Sequence, residues 1–468
     1  MKLITAEEIN TQREAVSKLR EYFSGKKYYI RTFGCQQNEA DSERFAGIAE
    51  EMGMSPTDEP SEASLIIVNT CAVREHAELR ALSITGGFKK LKEKNPELVI
   101  CVAGCMVTQE HRVNSMKKSY PYVDMLLGAG MYYDFPRLML EHLKREKRVF
   151  AIPDPDGAIA EGVPVRRESK TKAWVSVMYG CDNFCTYCVV PYVRGRERSR
   201  APEAILDEAR GLIADGCREI TLLGQNVNSY GKDLIKNGSG CDFAELVDRI
   251  CSLDGDFILR FMTSHPKDAN RKLIDTMARN AKCAKQLHLP LQSGSERVLR
   301  AMNRRYSPED YLALVDYARE IMPELSLSSD IMVGFPGETE DEFEETISML
   351  ERVRFDMIYS FIYSPREMTP AAKMDCQIPD EEKSRRMTRL LEVQNKISLE
   401  KNLSSIGSVQ RVLLEGISQK SDRNLTGRAD SNKLVHIPRN TETEKLIGRF
   451  VDVKITGAEP FALFGEPV

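Results

Sequence analysis

The residues in this chain most capable of chemistry are three closely spaced cysteines, Cys181, Cys185 and Cys188. Their spacing is C-x3-C-x2-C, and the next cysteine along the chain is Cys217. Three thiolates this close together suit three corners of a cubane iron–sulfur cluster, and the missing fourth ligand leaves one iron open to a substrate. The trio therefore predicts a [4Fe-4S] cluster that takes part in a reaction.

A zinc site and a disulfide are the alternatives for this trio. Structural zinc normally takes four tetrahedral ligands arranged as two pairs, and the sequence supplies no second pair. The first residues, Met-Lys-Leu-Ile-Thr-Ala-Glu-Glu, contain no apolar signal segment, and thiols in the cytosol stay reduced. The sequence favours the cluster, and we expect a cytoplasmic protein.

A second set of three cysteines, Cys35, Cys71 and Cys105, lies nearer the N-terminus, and each follows a predicted strand. The carboxyl ends of parallel strands meet at one edge of a sheet, where ligands bind. Gly34 and Gly104 permit tight turns beside a bulky inorganic group. Any one of these cysteines alone would be interpreted as a small buried hydrophobe. Their shared position after strands predicts a second cluster.

The second set of cysteines is predicted to lie in a region where strands and helices alternate. Residues 1–25 predict a helical lead-in, and residues 26–150 predict a parallel α/β domain. Its strands are expected at 27–32, 65–69 and 98–103, and its helices at 38–53, 74–94 and 106–118. Residues 151–172 have the composition of a linker, with turn-forming residues at Pro153, Pro155, Gly157, Gly162 and Pro164.

The remaining chain predicts two further domains, and the fold class is α/β. Six strand-like runs alternate with helical stretches over residues 173–402, which predicts a partial (β/α)6 barrel with a lateral gap for a bulky substrate. Residues 403–468 contain short strands separated by turns and predict a small β-barrel. The expected strands lie at 173–179, 219–223, 257–262, 286–290, 325–333, 357–363, 408–415, 424–429, 433–437 and 449–456.

Charge and hydropathy narrow the choice of partners. The formal net charge is −4, so a nucleic-acid partner would have to be held by local basic groups rather than by a basic domain. No apolar stretch approaches the roughly 20 residues that span a bilayer, so we expect no membrane partner. The sequence also shows no paired carboxylates or catalytic triad, and we expect no side chain to act as a general acid or base.

Both cysteine trios, followed by a β-barrel, resemble the radical S-adenosylmethionine (SAM) methylthiotransferase family over about residues 27–466. The most specific motifs are Thr32-Phe-Gly-Cys-Gln-Gln-Asn, Asn69-Thr-Cys-Ala-Val-Arg, the central trio, and Pro290-Leu-Gln-Ser-Gly-Ser with Met302-Asn-Arg-Arg-Tyr. The resemblance implies a barrel of radical SAM type, a C-terminal TRAM-like barrel, two [4Fe-4S] clusters, and two SAM molecules per turnover.

Within that family, the Gly-Cys-Gln opening is similar to the branch that adds a methylthio group to C2 of N6-isopentenyl-adenosine at position 37 of tRNA. Gln37 and the pair Glu367-Met368 depart from the pattern of that branch, and none of them is a cysteine ligand. The resemblance implies tRNA, through its anticodon stem-loop, as the substrate. It also implies an external electron donor, and sulfur-donor or cluster-assembly proteins, as partners.

The resemblance also assigns residues to SAM and to tRNA. Gln225 and Asn226 take the place that meets the SAM amino group, Asp330 faces the ribose, and Tyr187 lies against the adenine. Three further SAM-pocket residues follow strands three and four of the barrel: Ser264, Gln292 and Ser293. Arginines alternate from Arg194 to Arg200, and an extended segment would put them on one side where they could contact RNA. The predicted tRNA contacts are Arg194, Arg196, Arg304, Arg305 and Arg428.

Rival functions stay open at this stage. The same machinery could modify threonylcarbamoyl-adenosine 37 of tRNA or an aspartate of a ribosomal protein. A protein of another class, such as a non-catalytic iron–sulfur electron carrier or RNA-binding scaffold, would also need the cysteines. SAM cleavage to 5′-deoxyadenosine separates the enzymes from the non-catalytic proteins, and the modified product separates the enzymes from one another.

Overall fold

The structure is a computed structural model that describes residues 2–153, 157–238 and 240–468. Met1 of the predicted lead-in and Pro155 of the predicted linker lie outside these residues. Two units are distinguished: one contains residues 1–168, 178–182 and 188–200, and the other contains residues 169–177, 183–187 and 201–468. The domain boundaries predicted from the sequence stay predictions.

The first unit is built on a six-stranded parallel sheet whose strand order is β3-β2-β4-β5-β6-β7. The lead-in is helical as predicted, and a capping box formed by Thr5 and Glu8 starts its helix. The elements are β1 (Lys2–Leu3), α1 (Ala6–Phe23), β2 (Lys27–Thr32), α2 (Gln36–Glu51), β3 (Ser55–Pro56), β4 (Leu65–Thr70), α3 (Glu75–Gly87), α4 (Lys89–Lys94), β5 (Val99–Gly104), α5 (Glu110–Ser119), β6 (Met125–Gly128), α6 (Phe135–Arg145), β7 (Val149–Ala151) and β8 (Ala158–Ile159).

The central strands of this sheet are buried on both faces, as parallel sheets covered by helices require. Leu65 and Ile67 of β4 pack in one core, whereas Ile66 and Val68 pack in the other. Cys101 of β5 lies in the first of these cores, as its position inside an apolar run predicts. A sheet buried in this way holds its strand ends in fixed register, and the first three cysteines follow those ends.

The segment that contains the central cysteine trio and the partial barrel comes next along the chain. Six parallel strands form two three-stranded pieces, ordered β13-β12-β9 and β14-β15-β16, which confirms the predicted α/β fold. The elements are β9 (Lys172–Ser176), β10 (Met178–Tyr179), α7 (Val190–Arg194), β11 (Arg198–Ser199), α8 (Pro202–Ala214), β12 (Glu219–Leu223), α9 (Lys232–Lys236), α10 (Phe243–Cys251), β13 (Ile258–Phe261), α11 (Arg271–Arg279), β14 (Gln286–His288), α12 (Glu296–Ala301), α13 (Pro308–Ile321), β15 (Ser326–Val333), α14 (Glu340–Val353), β16 (Met357–Ile362) and α15 (Asp380–Leu403).

The C-terminal region is a closed five-stranded barrel with the order β17-β18-β19-β21-β20. Its core is apolar, and Leu414, Val435 and Val453 lie at its centre. Four of its strands agree with the sequence prediction, whereas the fifth, β21, was not predicted. The elements are β17 (Val409–Ser418), β18 (Ser421–Ala429), β19 (Leu434–Pro438), α16 (Thr441–Glu444), β20 (Phe450–Glu459) and β21 (Ala462–Pro467).

Ion pairs fix this small barrel to the amino ends of the partial-barrel strands. Lys433 pairs with Asp356, just before β16, at 3.2 Å, and Lys172 at the start of β9 pairs with Glu415 at 3.1 Å. Two further attachments come from Arg411 and Arg260. Among the residues that the structure describes, no helix is long and apolar enough to cross a membrane.

Candidate cluster sites and SAM pocket

Cys35, Cys71 and Cys105 follow the carboxyl ends of three neighbouring strands, β2, β4 and β5. Backbone hydrogen bonds continue past the strand ends: the Phe33 amide donates to the Asn69 carbonyl at 2.8 Å, and the Cys105 amide donates to the Thr70 carbonyl at 2.9 Å. The ladder therefore brings the three cysteines to one edge of the sheet.

The glycines before two of these cysteines are required by the close approach of the chain. Gly34 has φ +129°, and a Cβ added there would lie 2.8 Å from the Cys71 Cβ. Gly104 has φ +101°, and a Cβ added there would overlap the Thr70 carbonyl oxygen. A side chain at either position would push the strand ends apart, so both glycines help to keep the three thiols together.

A buried amide network, which the sequence analysis missed, supports this edge. The Cys35 thiol donates to the Asn38 Oδ1 at 3.4 Å, and the Asn38 Nδ2 donates to the Asn69 Oδ1 at 3.1 Å and to the Thr70 carbonyl at 2.9 Å. The Asn69 Nδ2 donates to the Asn38 carbonyl at 2.8 Å and to the Ser42 hydroxyl at 3.0 Å. Asn38 and Asn69 stand in the recognised motifs, and an amide at a strand end is the signal that could have found them.

The protonation of the thiols follows from their burial. Cys71 and Cys105 are buried, whereas Cys35 is exposed. Burial raises the pKa of Cys71, and the nearby Cys35 raises it further. Burial also raises the pKa of Cys105 to about 12, although Arg194 acts in the opposite direction. Because thiolates are the ligands of iron–sulfur clusters, binding of a cluster here must displace protons.

Within residues 2–153, 157–238 and 240–468, no three His, Cys, Asp or Glu side chains are close enough to hold one metal ion. A tetrahedral zinc ion, with Zn–S bonds of about 2.3 Å, would need such a group. A cubane cluster differs from a single ion, because it takes one thiolate at each of several separate irons.

The second cysteine trio lies in the loop between β10 and α7. Cys181 and Cys185 are buried and Cys188 is half-buried. The Cys181 amide donates to the Gly195 carbonyl at 3.1 Å. Phe184, directly before Cys185, has φ +47°, and the Asn303 Nδ2 holds this turn by donating to the Phe184 carbonyl at 3.0 Å. The loop is therefore fixed by hydrogen bonds on both sides of Cys185.

The arginines after this loop do not all lie on one side as an extended segment would place them. Arg194 is the last residue of helix α7 and is buried, with its Nη2 3.0 Å from the Asp41 carboxylate, whereas Arg198 lies in strand β11. Arg198 donates to the backbone carbonyl of Arg194, and Arg200 pairs with Glu161 at 2.7 Å. Arg196, whose side chain is 58% exposed, is the member of the row that faces solvent.

Arg304, which the sequence analysis predicted to contact tRNA, is buried. Its Nη1 donates to the Cys185 Sγ at 3.5 Å and its Nη2 donates to the Pro290 carbonyl at 2.8 Å. Burial alone would lower the pKa of Arg304, but Tyr306, Tyr187 and Cys185 outweigh it and keep the pKa well above its ordinary value. This guanidinium is therefore a permanent charge beside Cys185.

The predicted SAM residues on β12 and β13 lie together at the carboxyl ends of those strands. Asn226 is buried, and its Nδ2 donates to the Asp268 carboxylate at 2.7 Å. Four buried polar atoms here have no hydrogen-bond partner within the described part of the chain: the Asn226 Oδ1, Asn228 Nδ2, Ser264 Oγ and His265 Nε2. Unsatisfied buried polar atoms are costly, and a polar ligand would satisfy them.

His265 and Asn228 were missed by the sequence analysis. The His265 amide donates to the Asn228 Oδ1 at 3.1 Å, which ties the loop after β13 to the loop after β12. Burial lowers the pKa of His265, and Arg304 and Lys267 lower it further, so the imidazole is neutral. The Lys267 amide donates to the His265 Nδ1 at 3.3 Å, so in the neutral ring the Nε2 carries the hydrogen and can donate one hydrogen bond.

The other residues predicted to bind SAM lie in different surroundings. Gln292 has φ +71°, and its amide donates to the Asp330 carbonyl at 2.8 Å, so these two are neighbours. The Asp330 carboxylate is half-buried, 3.5 Å from the His288 Nε2. Ser293 differs, because its fully buried hydroxyl accepts from the Ser295 amide at 3.2 Å and lies 3.4 Å from the Thr346 hydroxyl. Tyr187 packs against the cluster of Val298 and Met302, and Gln225 is half-buried beside Asn226.

A surface cavity of about 470 Å³ lies beside this pocket in the same unit. Its lining includes Lys267, Arg271, Arg305 and Tyr317. The Arg271 guanidinium lies over the Tyr317 ring, 4.6 Å from its centroid. Arg305 is exposed at this cavity, which combines positive charge with aromatic surface.

Comparisons with known proteins agree with this arrangement. Residues 175–350 match the radical SAM superfamily, residues 403–468 match the TRAM domain, and residues 27–128 match the uncharacterized protein family UPF0004. The chain is 47% identical, over 99% of its length and 97% of the relative's length, to the tRNA-2-methylthio-N(6)-dimethylallyladenosine synthase of Acetivibrio thermocellus. The chain belongs to the tRNA-2-methylthio-N(6)-dimethylallyladenosine synthase family.

Another member of this synthase family, from Carboxydothermus hydrogenoformans, is 48% identical over 94% of this chain and 99% of its own length. Among solved structures, the radical SAM methyltransferase TsrM from Kitasatospora setae has a similar fold, with a TM-score of 0.54 at 13% identity over 83% of this chain and 78% of that one. As a radical SAM transferase of this synthase family, the chain uses SAM and [4Fe-4S] clusters.

Proposed function

We propose that this protein adds a methylthio group to C2 of N6-isopentenyl-adenosine at position 37 of tRNA in the cytoplasm. Cys181, Cys185 and Cys188 hold the cluster that binds SAM, and Cys35, Cys71 and Cys105 hold a second cluster. The observation that carries the proposal is the convergence of the second trio at one sheet edge, in a chain that also belongs to the synthase family.

The clusters and SAM supply the radical, the methyl group and the sulfur, and the protein supplies binding and orientation. Three thiolates leave one corner of each cluster without a cysteine, which provides a position for SAM on one cluster and for the transferred sulfur on the other. Gly34 and Gly104 let the backbone approach the second cluster, and Asn38 orients Cys35.

The methionine end of SAM is proposed to bind at the carboxyl ends of β12 and β13. Asn226, Ser264 and His265 each present a buried polar atom that lacks a partner within the described residues. The SAM amino and carboxylate groups offer donors and acceptors for such atoms. Gln225 lies beside them, and Gln292, Asp330 and Tyr187 are proposed to contact the rest of SAM. Ser293, whose hydroxyl is engaged with Thr346 and Ser295, supports the Gln292 turn.

The RNA is proposed to bind through exposed basic residues. Arg305 lines the cavity that also contains Arg271 and Tyr317, which suits a phosphate beside a stacked base. Arg196 is exposed at the end of the loop that bears the SAM cluster cysteines. On the small barrel, the half-buried Arg428 donates to the Asn432 carbonyl and lies 3.8 Å from Glu415, and it is proposed as a further RNA contact. Adenine C2 must leave the base stack to react, so the site has to hold a flipped base.

The decisive experiment is mass spectrometry of tRNA nucleosides from a deletion strain and from the strain complemented with the wild-type gene. We expect the deletion strain to lose the 2-methylthio form of isopentenyl-adenosine and to accumulate the unmethylthiolated form. Loss of a methylthio group from threonylcarbamoyl-adenosine, or from a ribosomal protein aspartate, would instead assign the rival substrates.

A second assay separates the enzyme from a non-catalytic iron–sulfur protein. The anaerobically reconstituted chain, supplied with SAM and dithionite, should release 5′-deoxyadenosine, and a chain with Cys181, Cys185 and Cys188 replaced by Ala should not. Turnover in the cell also needs an electron donor and a source of sulfur, which we propose to be separate proteins.

A further inference from the structure

Each proposed cluster site has one buried arginine next to its cysteines. In the first unit, Arg194 lies at the end of α7 with only 6% of its side chain exposed. Val193, the residue before it, packs in the same buried cluster as Cys105 and Ala72. The Arg194 guanidinium lies 3.0 Å from the carboxylate of Asp41 on α2, the helix that begins directly after Cys35. The end of α7 therefore lies against the sheet edge that carries the second cysteine trio.

In the second unit, Arg304 occupies the equivalent place beside Cys185. Arg304 is 7% exposed, and its Nη1 donates to the Cys185 Sγ at 3.5 Å. The Pro290 carbonyl accepts from its Nη2 at 2.8 Å, and the Tyr306 hydroxyl accepts from its Nε at 3.1 Å. These contacts fix the guanidinium in one orientation, so its distance from the cluster ligand is set by the fold.

The two arginines differ in their partners. Arg194 forms a buried ion pair with Asp41 at 3.0 Å, and Asp41 also lies 3.7 Å from the buried Arg44. Within the described residues Arg304 has no carboxylate partner, since its hydrogen bonds go to a sulfur, a hydroxyl and a carbonyl. Neither site therefore has a carboxylate for each of its buried arginines.

We propose that Arg194 and Arg304 are positioning residues that set the reduction potentials of the two clusters separately. This inference rests on the cysteine assignments of the proposed function. Reduction by one electron makes a thiolate-bound cluster more negative, and a nearby buried cation stabilises that charge because the local dielectric constant is low. Charge and hydrogen bonds to sulfur are the means by which proteins tune cluster potentials.

The test uses the full-length chain in two forms that each keep one cysteine set. Replacement of Cys181, Cys185 and Cys188 by Ala isolates the second cluster, and replacement of Cys35, Cys71 and Cys105 by Ala isolates the SAM cluster. Iron and sulfide are measured first, and about four irons per chain are expected in each form. A form that holds no iron would reject the ligand assignment itself, separately from the role of the arginines.

The midpoint potential of each form is then measured by an EPR-monitored titration with dithionite. In the form that keeps the SAM cluster, Arg304→Gln should lower the reduced-to-oxidised ratio at a fixed potential at least tenfold, which is about 59 mV for one electron. Arg304→Lys should restore most of the potential, and Arg194→Gln should leave it unchanged. The exposed Arg300, which pairs with Glu296, provides the matched control Arg300→Gln.

The opposite pattern is expected in the form that keeps the second cluster. Arg194→Gln should make its potential more negative, whereas Arg304→Gln should not change it. The exposed Arg31 supplies the control Arg31→Gln. Asp41→Asn removes a negative charge and leaves Arg194 in place, so the potential should move to less negative values. This variant keeps the test valid if Arg194→Gln does not fold.

Two results would overturn the inference. One is that Arg194→Gln and Arg304→Gln both retain their iron and show unchanged potentials in both forms. The other is an equal shift of both clusters by either arginine, which would indicate a general loss of structure rather than a local charge effect.

Discussion

Arg260 and Glu219 form a buried ion pair in which the Arg260 Nε lies 2.8 Å from the Glu219 Oε2. The same guanidinium donates from Nη2 to the Ala429 carbonyl and from Nη1 to the Asp430 carbonyl, each at 2.7 Å. Glu219 begins β12, and Ala429 ends β18 of the small barrel. A single buried arginine therefore joins the TRAM region to the radical SAM barrel.

Arg260→Leu is expected to destabilise the second unit by about 3 to 5 kcal/mol, since it removes the close partner of the buried Glu219 charge and leaves only the Lys172 Nζ, 3.8 Å away. The measurement is urea unfolding followed by fluorescence of Trp174, the one tryptophan of the chain, which lies in β9. The exposed pair of Arg210 and Asp207 gives the control Arg210→Ala, which should change the unfolding free energy by less than about 1 kcal/mol. Equal effects of the two variants would contradict the anchoring role.

Cys71→Ala is expected to keep SAM cleavage and to abolish insertion of sulfur, because it removes one proposed ligand of the second cluster and none of the SAM cluster. The measurements are 5′-deoxyadenosine release and the methylthiolated nucleoside in the same reaction. The control is Cys101→Ala, which changes a buried cysteine within β5, the strand that directly precedes Cys105. This variant should retain both products. Loss of 5′-deoxyadenosine in Cys71→Ala would show that the two cysteine sets are not independent.

Gly104→Ala is expected to lower the iron content of the reconstituted protein from about eight to about four per chain. Its Cβ would overlap the Thr70 carbonyl, and φ +101° is unfavourable for alanine. Gly86→Ala, on α3, meets no atom within 4 Å and should keep the full iron content. If Gly104→Ala retained both clusters, the close approach of β4 and β5 would not matter for binding.

Alkylation of the cluster-free protein should follow the exposure of its thiols. Cys35 and Cys376 are exposed and should react with iodoacetamide at pH 8 before Cys71 and Cys105. With its pKa raised to about 12 by burial, Cys105 has a thiolate fraction of roughly 1 in 10,000 at pH 8, and its rate should rise with pH up to that value. Peptide mass spectrometry measures each rate, and urea-denatured protein, in which all four should react alike, is the reference.

Arg305→Ala is expected to weaken tRNA binding without changing SAM cleavage, because Arg305 lines the basic cavity outside the cluster loop. Removing one phosphate contact should reduce the slope of log affinity against log salt by about 1. Filter binding at several salt concentrations measures the slope. Arg300→Ala, at an exposed ion pair on α12, should leave it unchanged.

The sequence predicts the strands and the cysteine positions because both depend on local patterns. Leu65 to Val68 form a continuous apolar run, and a thiol directly after such a run must lie at the sheet edge. Burial of a charged residue is different, since it depends on tertiary partners far away in the chain. Arg194 pairs with Asp41 and Arg304 contacts Cys185, and neither partner is adjacent in sequence.

Two other features of the structure also depend on partners that are distant in the sequence, and the sequence did not predict them. The strand β21 (Ala462–Pro467) contains Gly465 and ends at Pro467, and Pro460 lies just before it, so its sequence has a weak strand pattern. Its pairing with β19 and β20 stabilises it. Arg411 and Lys433 of the small barrel pair with Asp256 and Asp356 of the partial barrel, contacts that the local sequence does not reveal. Charge on a surface segment does not reveal whether it faces solvent or a neighbouring domain.

The small barrel is attached where the partial-barrel strands begin, whereas Asn226, Ser264 and Gln292 lie where those strands finish. The longest of them, β15, has eight residues, which corresponds to about 26 Å. An RNA that contacted both places would therefore have to span at least that length. Because buried contacts hold the small barrel at the amino ends of the strands, this separation is a fixed property of the fold.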